Sequence, residues 1–279
     1  MRDYRWLSAF LDASEAVFRK LYGKAGEKEM AKPIGRGAGG DVTIEIDRFS
    51  EELFIEKFES FNIPAIVLSE EKGKIRLNRA DNESPIVLVD PIDGSLNAKR
   101  GLPFYSIAVA KTGKTVGATS VGLVVNLSNG DRFYAIKGKG AFRDNYFLER
   151  HGIKAKRIKT GEDKNRGVLI AEGMDKESAF KQFLVYRKLF AKIRVFGSVA
   201  LDLSYLAASA ADGFIHPLKS RAFDYAAGKL ILEEAGGCLT DPLGNDFDAD
   251  VTLNGASPFI AARNRAILDE MIKIKSSEE

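Results

Sequence analysis

A chain of 279 residues, 45% of them hydrophobic and 29% charged, can bury a sizeable core as one large domain or two smaller ones. Its 42 lysines and arginines are nearly balanced by 39 acids, mixed along the chain, and a net charge of +3 gives no support for a nucleic-acid or membrane-surface role.

The first element expected is an amphipathic helix over 3–22, in which Leu7, Phe10, Leu11, Val17, Phe18 and Leu21 keep helical spacing and Gly23 stops the run. Arg2, Asp3, Arg5, Asp12, Glu15 and Arg19 interrupt its apolar residues, unlike a signal peptide. No apolar run nears membrane-spanning length, so a soluble, cytoplasmic protein is expected. Gly35 to Gly40 is too glycine-rich for regular structure and lacks the Lys-Ser/Thr ending of a nucleotide-binding loop, so it reads as a mobile loop and potential lid. Asp41 follows, where it could be aimed into a cleft. Asp47 opens a second helix with Ile46, Phe49, Leu53, Phe54 and Phe58 inward, and reads as a cap-region acid.

Ala65 to Leu68 is a short buried strand followed by Glu70 and Glu71. Ile86 to Val89 is another, ending in Asp90-Pro91-Ile92-Asp93-Gly94-Ser95, where a helix should begin. Taken alone, D-x-x-D-G-S is as readily a strand end and a helix cap as a binding site. Two short strands that both deliver acids at their C-terminal ends suggest a shared site at one sheet edge. A helix start suits a phosphate, and adjacent carboxylates accept one only through a cation. With one cysteine, Cys238, and two histidines, His151 and His216, without motifs around them, the ligands should be oxygens and the ion magnesium or manganese.

From Phe104 to Phe142 the pattern is β, with Asn129-Gly130 as a hairpin turn and an antiparallel sheet expected. The basic residues Arg150, Lys154, Lys156, Arg157 and Lys159 alternate with apolar ones, as on the wet face of an exposed strand. Beyond Gly152 the pattern alternates: strands at 168–171, 193–196 and 214–216, helices at 177–190, 198–211 and 223–234. That shift divides an N-terminal domain, 1–152, from a C-terminal one, 153–279.

Four stretches then match one family in order and spacing: G-G-D-V-T-I-E-I-D (39–47), S-E-E (69–71), D-P-I-D-G-S (90–95) and F-D-Y-A-A-G (223–228). Together they resemble the inositol monophosphatase family of magnesium-dependent, lithium-sensitive phosphatases, over essentially the whole chain. The glycine-rich loop, N-A-K-R-G-L-P-F-Y and K-S-R look most like the archaeal type that combines inositol-monophosphatase and fructose-1,6-bisphosphatase activity. The resemblance implies a layered αβαβα sandwich and a commonly dimeric enzyme. It implies a first magnesium on Glu70, Asp90 and the Ile92 carbonyl, a second on Asp90, Asp93 and Asp224, and a weaker third near Glu70 and Glu71. Asp41 and Ser95 would activate the attacking water, with Gly94, Ser95, Gly197 and Ser198 on the substrate side. No acid stands near Ile215 to Leu218 for sugar hydroxyls, whereas Lys219 and Arg221 suggest a second anion, which raises fructose-1,6-bisphosphate relative to inositol-1-phosphate. The alternatives are a 3'(2'),5'-bisphosphate nucleotidase and a non-catalytic metal- or phosphate-binding homologue.

Overall fold

Strands without polar and apolar alternation belong to sheets covered on both faces, and the architecture follows from that. The computed structural model describes residues 2–38, 40, 42–150, 154–161, 167–173, 177–253 and 255–276. The chain begins with α1 (Arg2–Leu21), β1 (Pro33–Arg36), β2 (Val42–Ile44), α2 (Glu45–Glu59), β3 (Ala65–Ser69) and β4 (Gly73–Leu77). Next come β5 (Ile86–Asp93), α3 (Ser95–Arg100), β6 (Ser106–Thr112), β7 (Val121–Asn126), β8 (Asp131–Ile136), β9 (Gly140–Asn145), α4 (Tyr146–Arg150) and β10 (Lys156–Ile158). The remainder is β11 (Val168–Ala171), α5 (Glu177–Arg187), β12 (Lys192–Arg194), α6 (Val199–Ala207), β13 (Gly213–Arg221), α7 (Ala222–Ala235), β14 (Cys238–Thr240), β15 (Ala256–Ala262) and α8 (Arg265–Ser276).

Eight strands form one sheet in the order β10-β9-β8-β7-β6-β5-β3-β4, antiparallel except where β3 lies beside β5. Five form a second sheet, β12-β11-β13-β15-β14, parallel through β12, β11 and β13. Val87, Val89, Leu123 and Val125 face α1 and α2, in a core with Trp6, Phe10, Phe54 and Phe58. Their neighbours Leu88 and Val124 face the other way, into a core shared with Leu203 of α6, Leu230 of α7, and Phe214 and Phe259 of the second sheet. On that sheet's far face, Leu169, Ile215 and Ile260 pack with Phe183 of α5 and Met271 of α8. The layers run helix, sheet, helix, sheet, helix, which is the expected sandwich. Each such fully buried Leu, Val or Phe contributes about 1.5–3 kcal/mol relative to exposure.

The helix between the sheets explains F-D-Y-A-A-G. Most of α7 is buried, as a helix between two sheets must be. A Cβ on Gly228 would meet Leu203 Cβ at 2.8 Å, and one on Gly122 would meet Ala227 O at 3.0 Å, so α7 crosses α6 and β7 at glycine-only separation. This close seat brings the N-terminus of α7, and Asp224 with it, to the edge where β5 ends.

Three details differ from the sequence expectations. Gly35 and Arg36 are not in an irregular loop but in β1, paired antiparallel with β2, because backbone pairing to Val42 and Thr43 outweighs glycine's freedom. Second, β5 does not stop at Asp90. It runs to Asp93, with one more residue than β6 between the pairs Asp90–Ala108 and Asp93–Ser106. Pro91 falls in that bulge, where its missing N–H costs no ladder bond. Third, the eight-stranded sheet continues beyond residue 152 to β10.

Candidate active site

The bulge in β5 sets the geometry. Asp90 Oδ1 accepts the Ile92 amide at 3.0 Å, a local turn that fixes one carboxylate. Asp93 Oδ2 accepts the Ser198 hydroxyl at 2.6 Å and the Ala200 amide at 2.8 Å, and so caps α6 from another strand. Gly94, at φ 91°, follows in the left-handed region, and a Cβ there would lie 2.9 Å from Gly197 O. Only glycine lets the two turns meet. Asn97 then donates to Phe104 O at 2.7 Å and Phe196 O at 2.6 Å, tying α3 to the segment that leads into β6 and to the Gly197 turn.

Ser95 opens α3, and its hydroxyl donates to Asp47 Oδ1 at 3.0 Å and to Ile92 O at 2.8 Å. Asp47 also accepts the Ile44 amide at 2.9 Å through Oδ2, capping α2, while Ser50 anchors that helix to Pro91 O at 2.8 Å. The cap expected of Asp47 is therefore only half of what it does. Asp41, the expected partner of Ser95, lies outside the described residues, and the acid on the Ser95 hydroxyl is Asp47. Asp47 sits inside G-G-D-V-T-I-E-I-D, and its helix-cap position made the second role invisible in sequence.

Glu70 and Glu71 follow β3. Thr43 of β2 donates to Glu71, and the Ala38 amide donates to Glu71 O at 2.9 Å, so the β1–β2 hairpin leans over these acids. Arg221 Nη2 pairs with Glu70 and stands 3.9 Å from Asp224, whose Oδ2 accepts the Ser220 hydroxyl and the Arg221 amide, each at 2.9 Å. The guanidinium is thus drawn into the carboxylate cluster, where the attraction of Glu70 and Asp224 exceeds that of an outward position. The expectation for Arg221 was a cation turned toward a second anion; here its guanidinium is engaged by Glu70. The Lys219 side chain lies outside the described part of the structure.

The acids bear the marks of close company. Burial pushes Asp47 up to about 6, against the hydrogen bonds from Ile44 and Ser95. Burial pushes Glu70 to about 7, with Arg221 opposing and Asp224 and Glu71 adding to it, and pushes Glu71 to about 7 against the Thr43 bond. Asp93 rises to about 8 through burial and then Asp224, and Asp90 rises well above its ordinary value through burial and then Glu70, Asp93 and Asp224. Glu70, Asp90, Asp93 and Asp224 are therefore electrostatic neighbours, although among the described residues no three acids, histidines or cysteines form a closed ligand group as they stand.

Ser198 is buried with its hydroxyl committed to Asp93 and 3.3 Å from that of Ser106, which leaves exposed Gly197 as the accessible member of the turn. His216 is a satisfied histidine: its Nδ1 lies 2.8 Å from Leu218 O and its ring stacks on Phe259.

A model of the inositol monophosphatase family matches residues 7–277. The fructose-1,6-bisphosphatase/inositol-1-monophosphatase of Methanothermobacter thermautotrophicus is 30% identical, over 97% of this chain and 96% of that one. The bifunctional NADP phosphatase/NAD kinase of Methanococcus maripaludis is 35% identical over 89% of this chain, a match that spans 45% of that longer protein. Among solved structures, extragenic suppressor protein suhB from Bartonella henselae superposes with a TM-score of 0.78 at 25% identity, over 96% of this chain and 97% of that chain. Similarity of this extent, over nearly the whole chain, means that the chain belongs to the inositol monophosphatase family.

Proposed function

We propose that this protein is a magnesium-dependent phosphomonoester hydrolase of sugar or polyol phosphates, with fructose-1,6-bisphosphate and inositol-1-phosphate as its first candidate substrates. The observation that carries the reading is the electrostatic proximity of Glu70, Asp93 and Asp224 to Asp90, together with the Ser95–Asp47 hydrogen bond. Family membership and the names of the two relatives support it.

The donor set suits a hard divalent cation: every candidate ligand is an oxygen, and Glu70, Asp90 and Asp93 are each pushed up by burial and then by the nearby acids, Asp224 among them in every case. Glu70, Asp90 and the Ile92 carbonyl would hold one ion, Asp90, Asp93 and Asp224 a second, and Glu71 would stand toward a third. Bound there, magnesium, or manganese in its place, would offset the carboxylate charge for an incoming phosphate and acidify a water.

The chain's own groups account for the proton. Ser95 accepts a hydrogen bond from the attacking water while its own hydrogen points at Asp47, so one proton passes from water to Ser95 Oγ as another passes to Asp47. A carboxyl near 6 is ionised at neutral pH and still basic enough for this task. Water oxygen attacks phosphorus in line, the ester P–O bond breaks toward the alcohol, and no residue carries the phosphoryl group. The Gly94–Ser95 amides and Gly197 face the phosphate. Lys219 remains the candidate for a distal phosphate.

Phosphate release with magnesium from fructose-1,6-bisphosphate, inositol-1-phosphate, adenosine 3',5'-bisphosphate, NADP and a generic phosphomonoester tests the reading, and release from none of them sinks it. We further propose a cytoplasmic homodimer, and divide the chain between 1–152, which carries Glu70, Asp90 and Asp93, and 153–279, which carries Asp224 and lends β10 to the sheet of the first. No helix among the described residues is long and apolar enough to cross a membrane. Exposed Leu96, Leu102, Val195 and Phe196, with Phe196 stacked on Phe104 at 4.6 Å, support a covered face beside α3. Light scattering that returns a monomer overturns the dimer.

A further inference from the structure

Asp202 lies in the first turn of α6, fully buried, and neither of its carboxyl oxygens meets a hydrogen-bond partner among the described residues. An ionised carboxylate left in that position is strongly destabilising. Its charged neighbours are both acids: Glu172, at hydrogen-bonding range, and Asp93. Two carboxyls at that range are compatible when one proton lies between them.

Glu172 leads on to the site. It is 8% exposed, and its Oε1 accepts the amides of Phe196 at 3.1 Å and Gly197 at 2.7 Å. Those amides open the turn whose Gly197 carbonyl faces Gly94 and whose Ser198 hydroxyl reaches Asp93 at 2.6 Å. The second oxygen of Glu172 has acceptor capacity of its own, and a donor there would fix the carboxylate further.

We propose that Asp202 is a positioning residue: as a neutral acid it donates a hydrogen bond to Glu172, which then holds the Phe196–Ser198 turn against Asp93 and Gly94. Burial, and then the proximity of Glu172, hold the Asp202 carboxyl well above the ordinary range, as a donor requires. The consequence for substrate rests on the phosphatase reading. The link from Asp202 to Asp93 does not.

Two substitutions separate positioning from packing. Asp202→Asn keeps an N–H donor toward Glu172, whereas Asp202→Leu keeps the bulk and removes the donor. The Leu variant is expected to keep its Tm without magnesium, because the lost hydrogen bond to Glu172 is offset by the desolvation cost of a fully buried carboxyl that is gone. Its KM for the ester and the magnesium concentration for half-maximal thermal stabilisation should each rise by about 10-fold, while the Asn variant stays within about 3-fold of wild type, since a positioning loss of this kind amounts to roughly one hydrogen bond. A Leu variant that matches wild type in both measures, or an Asn variant impaired as much as Leu, overturns the proposal. Carbon-13 carboxyl spectra of the wild type at pH 7 decide the matter even if the Leu variant does not fold: Asp202 should show a neutral-acid shift, and an ionised Asp202 overturns the proposal. Magnesium-dependent stabilisation is read without substrate. A wild type that hydrolyses no ester therefore sinks the phosphatase reading and leaves this one standing or falling on its own.

Discussion

The Ser95 hydroxyl donates to Asp47 Oδ1 at 3.0 Å, joining the first residue of α3 to the first turn of α2. Helix α3 follows β5 and α2 follows β2, so the pair is placed by two helix N-termini. If Asp47 takes the proton, Asp47→Asn should lower kcat by about 10²–10⁴ with the fold intact, since the amide still accepts the Ile44 N–H. Wild-type kcat/KM should fall as pH drops through about 6, the value to which burial raises Asp47, and the variant should lose that limb. Asp41→Asn should stay within about 3-fold of wild type, because the base is already supplied. The opposite ranking of the two variants would restore Asp41 to the role.

Metal-free stability should depend on pH in the direction opposite to that of a salt-bridged protein. Asp47, Glu70, Glu71 and Asp93 are raised to about 6, 7, 7 and 8, chiefly by burial. Unfolded, such acids titrate near 4, so between about pH 4 and 8 the folded state binds more protons and stability falls as pH rises. In chelator, Tm should be about 5 °C or more higher at pH 5.5 than at pH 8. Magnesium should stabilise more at pH 8 than at pH 5.5, because it needs the ionised carboxylates. A metal-free Tm that climbs from pH 5.5 to 8 would contradict both steps.

Gly94→Ala tests the meeting of the two turns. Alanine at φ 91° bears a left-handed penalty of about 1–2 kcal/mol, and its Cβ would press on Gly197 O at 2.9 Å, a backbone atom that cannot swing away. Tm should fall by several degrees and kcat/KM by about 100-fold, as expected when reacting groups are displaced by a fraction of an ångström. Gly197→Ala, at φ 86°, bears the same left-handed penalty but should be milder, since its Cβ would meet the Asn97 side-chain amide at 3.0 Å rather than a backbone atom. Equal effects at the two positions would mean that the close approach does not set the site.

What was legible in the sequence was whatever a short window encodes. The apolar runs of β3, β5 and β7 announced buried strands, while the layers that cover them were implied only by the family resemblance. Asp90, Asp93 and the glycine between them and Ser95 were legible because the bulge, the turn and the acids are contiguous. The partnerships were not. Asp47 satisfies a local rule, helix capping, that hid its bond to Ser95, 48 residues away. Glu172 and Asp202 sit in ordinary strand-end and helix contexts, and their link to Asp93 exists only once α6 is seated between the sheets. Arg221 looked like a free basic residue because Glu70, its partner, lies 151 residues earlier.

Arg221 separates two accounts of substrate preference. Its guanidinium pairs with Glu70 and stands 3.9 Å from Asp224, and burial is outweighed by those acids, which hold it protonated well above its usual range. As an internal counter-ion it eases the repulsion among Glu70, Asp90 and Asp224, so Arg221→Met should lower the metal-free Tm at pH 8 by several degrees, in line with the loss of one partner of a mostly buried pair. The loss should shrink at pH 5.5, where Glu70, raised to about 7, is already protonated and needs no partner. KM should change by the same factor for fructose-1,6-bisphosphate and inositol-1-phosphate, because the residue serves the acids common to both. A rise confined to the bisphosphate, with metal-free stability unchanged, would instead make Arg221 the reader of a distal phosphate.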